Sequence, residues 1–419
     1  MHAQGMTGFA AADSATVART AWSRATMALR TNGGDIARRE IDRAAAAWPT
    51  QPTYLWADAV LAARAGDAAA ARAALRQYAA LGLGRDLRSE KSFASFINDP
   101  AMAPVIAAHD ANRAPLVRGQ VRASIRDSTF WPEGVDVDPR TGRFYVASVA
   151  HRTIAEVSRD GTVRELWPRD RRDLGAMLGV RVDAKRGVLY ATTSGVPQSP
   201  GYVPGDSAVA ALLRVRILDG VIERRWNLPV VAGGHTLGDV AIGPNGDVFV
   251  TDSNQPVLYQ LRAGADSLIP FTHPLFHSLQ GMAPTPDARF VYLSDYSHGL
   301  LRVDLATHAV ARLDDAPGST SLGCDGIVLD HDAIIAVQNG VSPARIMRFV
   351  LDATGTRIAR ATVLDQNLAL ADEPTIGTVI DGAFVYVANS QWDKHDDKGR
   401  RVPTIPLTAP MLIAVPIPR

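Results

Sequence analysis

The sequence predicts a six-bladed β-propeller that follows a small all-α domain of helical repeats. The first observation is a hairpin pattern, alternating apolar residues on both sides of a tight turn, which occurs six times with starts at 133, 179, 238, 280, 325 and 375. The second is the spacing of these starts, 42 to 59 residues, about the length of one four-stranded blade. The third is a change of composition near residue 115. The expected domains are residues 1–115 and 116–419.

The amino-terminal domain is predicted to be helical because residues 11–112 are rich in Ala, Arg and Leu with helical apolar spacing. Gly34-Asp35 and Gly66-Asp67 are each expected to begin a helix with Asp as its N-cap. The segment 54–72 resembles a tetratricopeptide repeat, with an early aromatic residue, a Gly-Asp turn and small residues in the second helix. The resemblance implies a groove for a protein partner. The alternative is a short helical array that packs against the propeller.

The first hairpin shows why the later segment is predicted to be β-structure. Apolar residues alternate through Val135 and Val137 and again through Phe144 and Val146, and an Asp-Pro-x-x-Gly turn separates the two runs. The last repeat is one strand short. We therefore expect residues 119–126, which precede the first repeat, to supply the outer strand of the last blade and close the ring.

Composition excludes several classes of protein. The formal net charge is +1, with no basic excess that would indicate nucleic-acid binding. No apolar run is long enough for a membrane span. Cys324 is the only cysteine, which excludes an internal disulfide and a thiolate metal cluster. The start, Met1–Gly5, resembles the remnant of a signal-peptide cleavage site, so a periplasmic or otherwise exported protein is expected, with a cytoplasmic one as the alternative.

Candidate functional residues follow from the geometry of a blade. The first strand lines the central channel and the second runs back, so the start of one and the end of the other lie on the same face. The channel set is Glu133, Gly179, Gly238 with Asp239, Gln280, Asp325 and Thr375 with Ile376. The rim set is Ser148 with His151, Ser194, Asp252 with Asn254, Asp295 with His298, Asn339, and Asn389.

Three members of the channel set, Glu133, Gln280 and Asp325, carry side-chain oxygen and precede a glycine. Oxygen ligands suit a hard divalent cation such as Ca²⁺ better than zinc. Two nearby carboxylates also repel one another unless a cation or a shared proton lies between them. The sequence therefore predicts a cation on the propeller axis. The alternative is that these side chains bond to neighbouring strand ends and to channel water.

Three motifs carry a resemblance to a known family. Pro-Glu-Gly at 132–134, Pro-Asn-Gly-Asp-Val-Phe-Val-Thr-Asp-Ser at 244–253 and Cys-Asp-Gly-Ile at 324–327 resemble the gluconolactonase and senescence-marker-protein family, with paraoxonases and strictosidine synthase as distant relatives. The resemblance covers the propeller and not the helical part.

In that family an axial divalent ion is held by a Glu, one or two Asn and an Asp, and the Asp also acts as general base. The resemblance implies these roles for Glu133 and Asp325. Gln280 stands where an Asn is expected. Gly238 stands where a second Asn would be, with Asp239 next to it, so that Asp239, Asn254 or water would have to replace the missing ligand.

The implied reaction is metal-dependent hydrolysis of a small-molecule lactone or ester, in which Asp325 deprotonates water. His298 is expected to transfer protons. In strictosidine synthase-like relatives the scaffold works without the metal, and Glu373 would then be the acid. The residues expected to contact the substrate are His151, Asp252, Asn254, Asn339, Asn389 and Trp392.

Two insertions, Gly195–Ala210 and Gln391–Pro410, follow second strands and are expected to form a lid over this face. A non-catalytic function also stays open, in which the propeller face and the helical domain each bind a partner. Detection of a cation bound between Glu133, Gln280 and Asp325 would distinguish the hydrolase from the non-catalytic binding protein.

Overall fold

The computed structural model describes residues 14–31, 33–158, 161–199, 202 and 209–418. The chain forms two compact units, one extending to Arg113 and including Gly318–Thr320, and one comprising the other residues from Ala114 onward. The first is helical and the second is built of β-strands, which confirms the predicted fold class. The export prediction rests on Met1–Gly5, which lies outside the described residues. In the described ranges, no helix is both long enough and apolar enough to cross a membrane.

The helical unit has its helices packed in sequential pairs, α1 on α2 and α3 on α4. Asp67 is the N-cap of α4 as predicted, because its Oδ1 accepts a hydrogen bond of 2.9 Å from Ala70 N–H. The same prediction is wrong for α2, which begins at Gly34 and contains Asp35 in its first turn. The tetratricopeptide-like character of the unit stays a prediction. The helices are α1 (Ser14–Arg30), α2 (Gly34–Ala47), α3 (Pro52–Arg64), α4 (Ala68–Ala80) and α5 (Ala103–Asn112).

The second unit is a propeller of six four-stranded antiparallel blades. Blade 1 contains β2 (Pro132–Asp138), β3 (Arg143–Ser148), β4 (Thr153–Val157) and β5 (Val163–Glu165). Blade 2 contains β6 (Ala176–Asp183), β7 (Val188–Ser194), β8 (Ala211–Arg216) and β9 (Ile222–Asn227). Blade 3 contains β10 (Leu237–Ile242), β11 (Val248–Asp252), β12 (Val257–Leu261) and β13 (Ile269–Phe271).

Blade 4 contains β14 (Leu279–Pro284), β15 (Phe290–Asp295), β16 (Gly299–Asp304) and β17 (Val310–Arg312). Blade 5 contains β18 (Cys324–Asp330), β19 (Ala333–Gln338), β20 (Arg345–Leu351) and β21 (Ile358–Gln366). Blade 6 combines β22 (Gly377–Ile380), β23 (Ala383–Val387) and β24 (Met411–Pro416) with β1 (Gln120–Ser124) as its outer strand.

The ring closes as the sequence predicted. Strand β1 pairs antiparallel with β24, with Gln120 opposite Ala414. Each inner strand contacts the inner strand of the next blade, and β22 contacts β2. Buried apolar clusters fill the spaces between neighbouring blades, so the core of this unit is a ring of interfaces around the channel.

The inner strands of blades 1 to 5 share a bulge near their starts, where the register with the second strand shifts by one residue. The second bulged residue is glycine in four of these blades. A Cβ on Gly134 would lie 2.3 Å from Leu178 O, and one on Gly281 would lie 2.6 Å from Ile327 N. These glycines therefore allow the backbones of neighbouring inner strands to approach. The same holds at Gly179 and Gly326.

A buried carboxylate also links the blades. Asp136 Oδ2 accepts a hydrogen bond of 2.7 Å from Val182 N–H in blade 2. Its Oδ1 accepts one of 2.6 Å from Thr378 Oγ1 in blade 6. Since the side chain is 9% exposed, both bonds replace hydration that the carboxylate loses on folding.

We predict that Gly281→Ala destabilises the propeller by about 2 kcal/mol or more, because the added methyl group meets backbone atoms of blade 5 that cannot rotate away. The matched control is Gly238→Ala at the neighbouring bulge, where an added Cβ would meet only Gln280 Oε1 at 3.8 Å. Urea unfolding of both variants measures the difference. Equal losses in the two would show that strand approach at the bulges does not limit stability.

Candidate active site at the channel entrance

The shared bulge places one residue of each blade at an equivalent position beside the channel. By register, these residues are Glu133, Leu178, Gly238, Gln280, Asp325 and, just before β22, Thr375. Two of them are carboxylates and one is an amide. The bulges thus bring Glu133, Gln280 and Asp325, which sequence reasoning selected, to one end of the channel.

Hydroxyl groups of neighbouring blades fix the backbone at these three positions. Thr251 Oγ1 donates to Gln280 O at 2.6 Å, and Ser294 Oγ donates to Asp325 O at 2.5 Å. Thr375 Oγ1 donates to Glu133 O at 2.7 Å. Sequence reasoning missed Thr251 and Ser294, which lie inside second strands and bond across a blade boundary.

Glu133 retains partial solvent access, and Trp392 holds one of its oxygens. The indole Nε1–H donates to Glu133 Oε2 at 2.6 Å. Burial of the carboxyl group, followed by the negative charge of Asp325, raises the pKa of Glu133 well above its usual range. Burial and the charge of Asp325 therefore favour the protonated form of Glu133 more than is usual for a glutamate.

Asp325 is the second carboxylate of the channel entrance. Its Oδ2 accepts a hydrogen bond of 2.8 Å from Asn339 Nδ2. Burial raises the pKa of Asp325 to about 7, the Asn339 bond acts against this rise, and the charge of Asp239 adds to it. Asp325 is thus divided between its acid and base forms near neutral pH, as general acid–base catalysis requires.

The amide of Gln280 lies beside the space left by Gly238. Its Nε2 donates to Ser278 Oγ at 3.3 Å, and its Oε1 lies 3.8 Å from the position that a Cβ on Gly238 would take. Gly238 thus leaves room for the longer side chain of Gln280.

Asp239 fills the bulge position that glycine occupies in the neighbouring blades, and it is 1% exposed. Its Oδ1 accepts a hydrogen bond of 2.7 Å from Val240 N–H, and its Oδ2 lies 3.5 Å from Arg181 Nη2. Burial raises the pKa of Asp239, and the charge of Arg181 opposes that rise. The guanidinium group of Arg181 is therefore the charged partner of the Asp239 carboxyl group.

Glu373 precedes the inner strand of blade 6 and has a left-handed backbone with φ of 55°. Its Oε2 accepts a hydrogen bond of 2.8 Å from Asp393 N–H. Burial raises the pKa of Glu373 to about 7. Its charge contributes to the raised pKa of Glu133, so the two carboxyl groups interact.

The insertion after β23 covers this end of the channel. Trp131, directly before β2, stacks on His395 with ring centroids 4.0 Å apart and meets Trp392 edge-on at 4.9 Å. Asn389 supports the base of the insertion, because its Nδ2 donates to Thr408 Oγ1 at 2.9 Å. The insertion therefore brings Trp392 to Glu133. Much of the other expected lid segment, Gly195–Ala210, lies outside the described residues.

The two rim histidines are buried in local networks. His151 Nδ1 lies 3.0 Å from Glu165 Oε1, and burial lowers the pKa of His151. His298 is fully buried, with its Nδ1 3.3 Å from Asp295 Oδ1 and its ring stacked on His277 at 4.5 Å.

Asp252 and Asn254 organise one loop of the rim. Asp252 is fully buried, and its Oδ2 lies 2.6 Å from His235 Nδ1. Its Oδ1 accepts a hydrogen bond of 3.1 Å from Asn254 N–H. Asn254 is exposed, and its Nδ2 donates to the carbonyl oxygens of Gly233 and Gly234 at 2.5 and 2.9 Å.

Among the residues that the structure describes, the side chains at the axis offer oxygen atoms but no cluster of three acidic, histidine or cysteine ligands. Within the described residues, no three His, Cys, Asp or Glu side chains form a group that could hold a metal ion. Two carboxylates and an amide oxygen are nevertheless present at equivalent bulge positions, and neither Glu133 Oε1 nor Asp325 Oδ1 accepts a hydrogen bond from the described part of the chain. These groups supply only oxygen atoms, which are the ligands that a hard cation such as Ca²⁺ prefers.

Comparisons with known proteins give similarities of fold. The sequence matches no protein-family model, and no curated protein matches it by sequence. A gluconolactonase from Xanthomonas campestris is similar in structure, with 15% identity, coverage of 74% of this chain and 93% of that chain, and a TM-score of 0.48.

Two further solved structures are similar at the same level. The calcium-binding protein regucalcin from Agrobacterium tumefaciens has 16% identity, coverage of 71% and 96%, and a TM-score of 0.47. Virginiamycin B lyase from Staphylococcus aureus has 16% identity, coverage of 63% and 79%, and a TM-score of 0.46. At these identities and TM-scores, the similarities carry no information about the chemistry at the axis.

We predict that Asp325→Asn stabilises the protein relative to wild type more at pH 9 than at pH 5. A carboxyl group whose pKa is raised on folding contributes stability below its unfolded pKa near 4, and this is lost as the pH rises through about 7. Because Asn does not ionise, the variant should gain roughly 2–4 kcal/mol over wild type across this window.

Urea unfolding at both pH values gives this difference. Asp138→Asn is the control without a pH dependence in this range, because the hydrogen bond from Arg140 lowers the pKa of Asp138. That variant should be less stable than wild type by the same amount at pH 5 and at pH 9, because the contribution of Asp138 is complete above its unfolded pKa near 4. A pH-independent effect of Asp325→Asn would contradict the raised pKa.

Proposed function

We propose that the protein is a hydrolase of small-molecule lactones or esters, with its active site at the channel entrance. The observation that supports this most directly is the pair Glu133 and Asp325, two carboxyl groups at equivalent bulge positions with pKa values raised by burial. The choice of a lactone or ester rests on the motif resemblance described above.

Asp325 suits the role of general base. With a pKa of about 7 it is ionised in a large fraction of molecules at neutral pH, and it can take a proton from a water molecule that attacks the carbonyl carbon. Glu133 in its protonated form can donate a hydrogen bond to the carbonyl oxygen or a proton to the leaving alcohol. Cys324 is fully buried, and burial raises the pKa of its thiol, so it is not proposed as a nucleophile.

A divalent cation, with calcium the best match to oxygen ligands, would be held by Glu133, Asp325 and Gln280. When bound, it would polarise the carbonyl group and stabilise the oxyanion. Its charge would also offset the repulsion from Asp325 that helps to raise the pKa of Glu133.

We predict that Asp325→Asn and Glu133→Gln each lower kcat/KM for a responsive lactone or ester by about 10²-fold or more, because each removes a group that transfers protons. The matched control is Glu223→Gln on β9, whose carboxylate pairs with Arg214 and Arg216. A screen of aryl esters and of five- and six-membered lactones supplies the substrate.

Full activity in Asp325→Asn would contradict the proposed base. If the activity were instead lost in Glu373→Gln and independent of cations, the chemistry would belong to Glu373. That residue carries a strained backbone and a raised pKa in the same face of the propeller.

Calcium at about 100 times its dissociation constant should stabilise EDTA-stripped wild-type protein by about 2.7 kcal/mol and leave Asp325→Ala unchanged. Thermal unfolding with and without the ion measures this. Magnesium at the same concentration controls for ionic strength and general divalent effects. An equal shift in both proteins would place the ion away from the channel entrance.

A further inference from the structure

We propose that Tyr296 is a positioning residue, which acts through the Asn339 amide to hold the Asp325 carboxylate in one orientation. The effect of Tyr296 on catalysis rests on the proposed function. The hydrogen-bond chain itself can be tested without it.

The chain of bonds joins two blades at the channel entrance. Tyr296 follows β15, and its hydroxyl donates to Asn339 Oδ1. Asn339 follows β19, and its Nδ2 donates to Asp325 Oδ2 at 2.8 Å. Asp325 therefore receives its hydrogen bond from the Asn339 side chain, and the Tyr296 hydroxyl in turn holds that side chain.

The direction of the Asn339 amide is set from both sides. Its Nδ2 also donates to Pro374 O at 2.8 Å. Since a carbonyl oxygen can only accept, the NH₂ group must face Pro374 and Asp325, and the amide oxygen must face the Tyr296 hydroxyl. Without that hydroxyl, the amide oxygen loses its donor, and the amide keeps only the hydrogen bonds from its Nδ2 to Pro374 and Asp325.

Tyr296 remains a proton donor in this setting. Burial raises the pKa of its phenol, and the charges of Asp325, Glu133 and Glu373 act in the same direction. The hydroxyl therefore keeps its proton across the pH range in which Asp325 ionises.

Two glycines, Gly323 and Gly340, lie beside Tyr296 and allow its ring and backbone to pack closely against blade 5. A Cβ on Gly340 would lie 2.5 Å from Tyr296 Cε1. Gly323 N–H donates to Tyr296 O, and Gly340 N–H donates to Gly323 O, both at 3.0 Å. Three loops of blades 4 and 5 are thus joined through their backbones around the tyrosine, so the hydroxyl is presented by a rigid support.

The result is that Asp325 Oδ2 is occupied while Oδ1 accepts no hydrogen bond from the described residues. A base held in this way presents one defined oxygen to water or to an ion. Tyr296 does not need to touch the substrate to have this effect.

The test is Tyr296→Phe, which removes only the hydroxyl group. Protein labelled with ¹⁵N at asparagine side chains reports the Asn339 amide, whose resonances are identified by their absence in Asn339→Ala. We expect the two amide protons of Asn339 to move and to exchange with water about tenfold faster or more in Tyr296→Phe. We also expect kcat to fall about tenfold with KM little changed, because a misaligned base affects the chemical step.

Tyr292→Phe on β15 is the matched control. It removes a tyrosine hydroxyl that donates to Gly355 O at 3.0 Å and has no bond to Asn339. The proposal is overturned if Tyr296→Phe leaves the Asn339 resonances as in wild type, or if its kcat equals that of Tyr292→Phe. If wild type hydrolyses nothing and the Asn339 resonances still change, the hydrogen-bond chain stands and the hydrolase function fails.

Discussion

The structure of this propeller depends on the close approach of its inner strands around the axis. That approach is possible because the second bulged residue is glycine at Gly134, Gly179, Gly281 and Gly326, where any side chain would meet the backbone of the next blade. The apolar clusters between blades and the bridging carboxylate of Asp136 can form only once the strands are at this distance. Stability and the shape of the channel thus follow from the same short contacts.

The bulges that stabilise the ring also build the candidate site. An extra residue in the strand directs Glu133, Gln280 and Asp325 towards the channel end, and hydroxyl groups from adjacent blades fix their carbonyl oxygens. Each carboxylate then receives one N–H donor, from Trp392 or from Asn339. The site is therefore assembled from groups on blades 1, 3, 4, 5 and 6, and no single blade contains it.

Much of the fold could be predicted from the sequence because it depends on local patterns. The repeated hairpin gave the number of blades, the missing outer strand gave the partner of β24, and the residue before each bulge glycine gave Glu133, Gln280 and Asp325. Tyr296, Thr251 and Ser294 could not be predicted, because their partners lie across blade boundaries. The blade geometry that selected the rim residues located the ends of the second strands. It did not give the directions of the side chains at those ends. It could not show that Asp252 and His298 are fully buried in local bonds.

The pairing of β1 with β24 bears on how the protein is made. It joins Gln120 to Ala414, so the sixth blade needs a segment that is synthesised before blade 1 and another that is synthesised after blade 5. Closing so long a loop costs conformational entropy, and such long-range contacts slow folding. During translation, blades 1 to 5 would exist as an open arc whose first and last faces are uncovered. The ring, and with it the junction between Glu133 and blade 6, can be completed only after β24 has been synthesised.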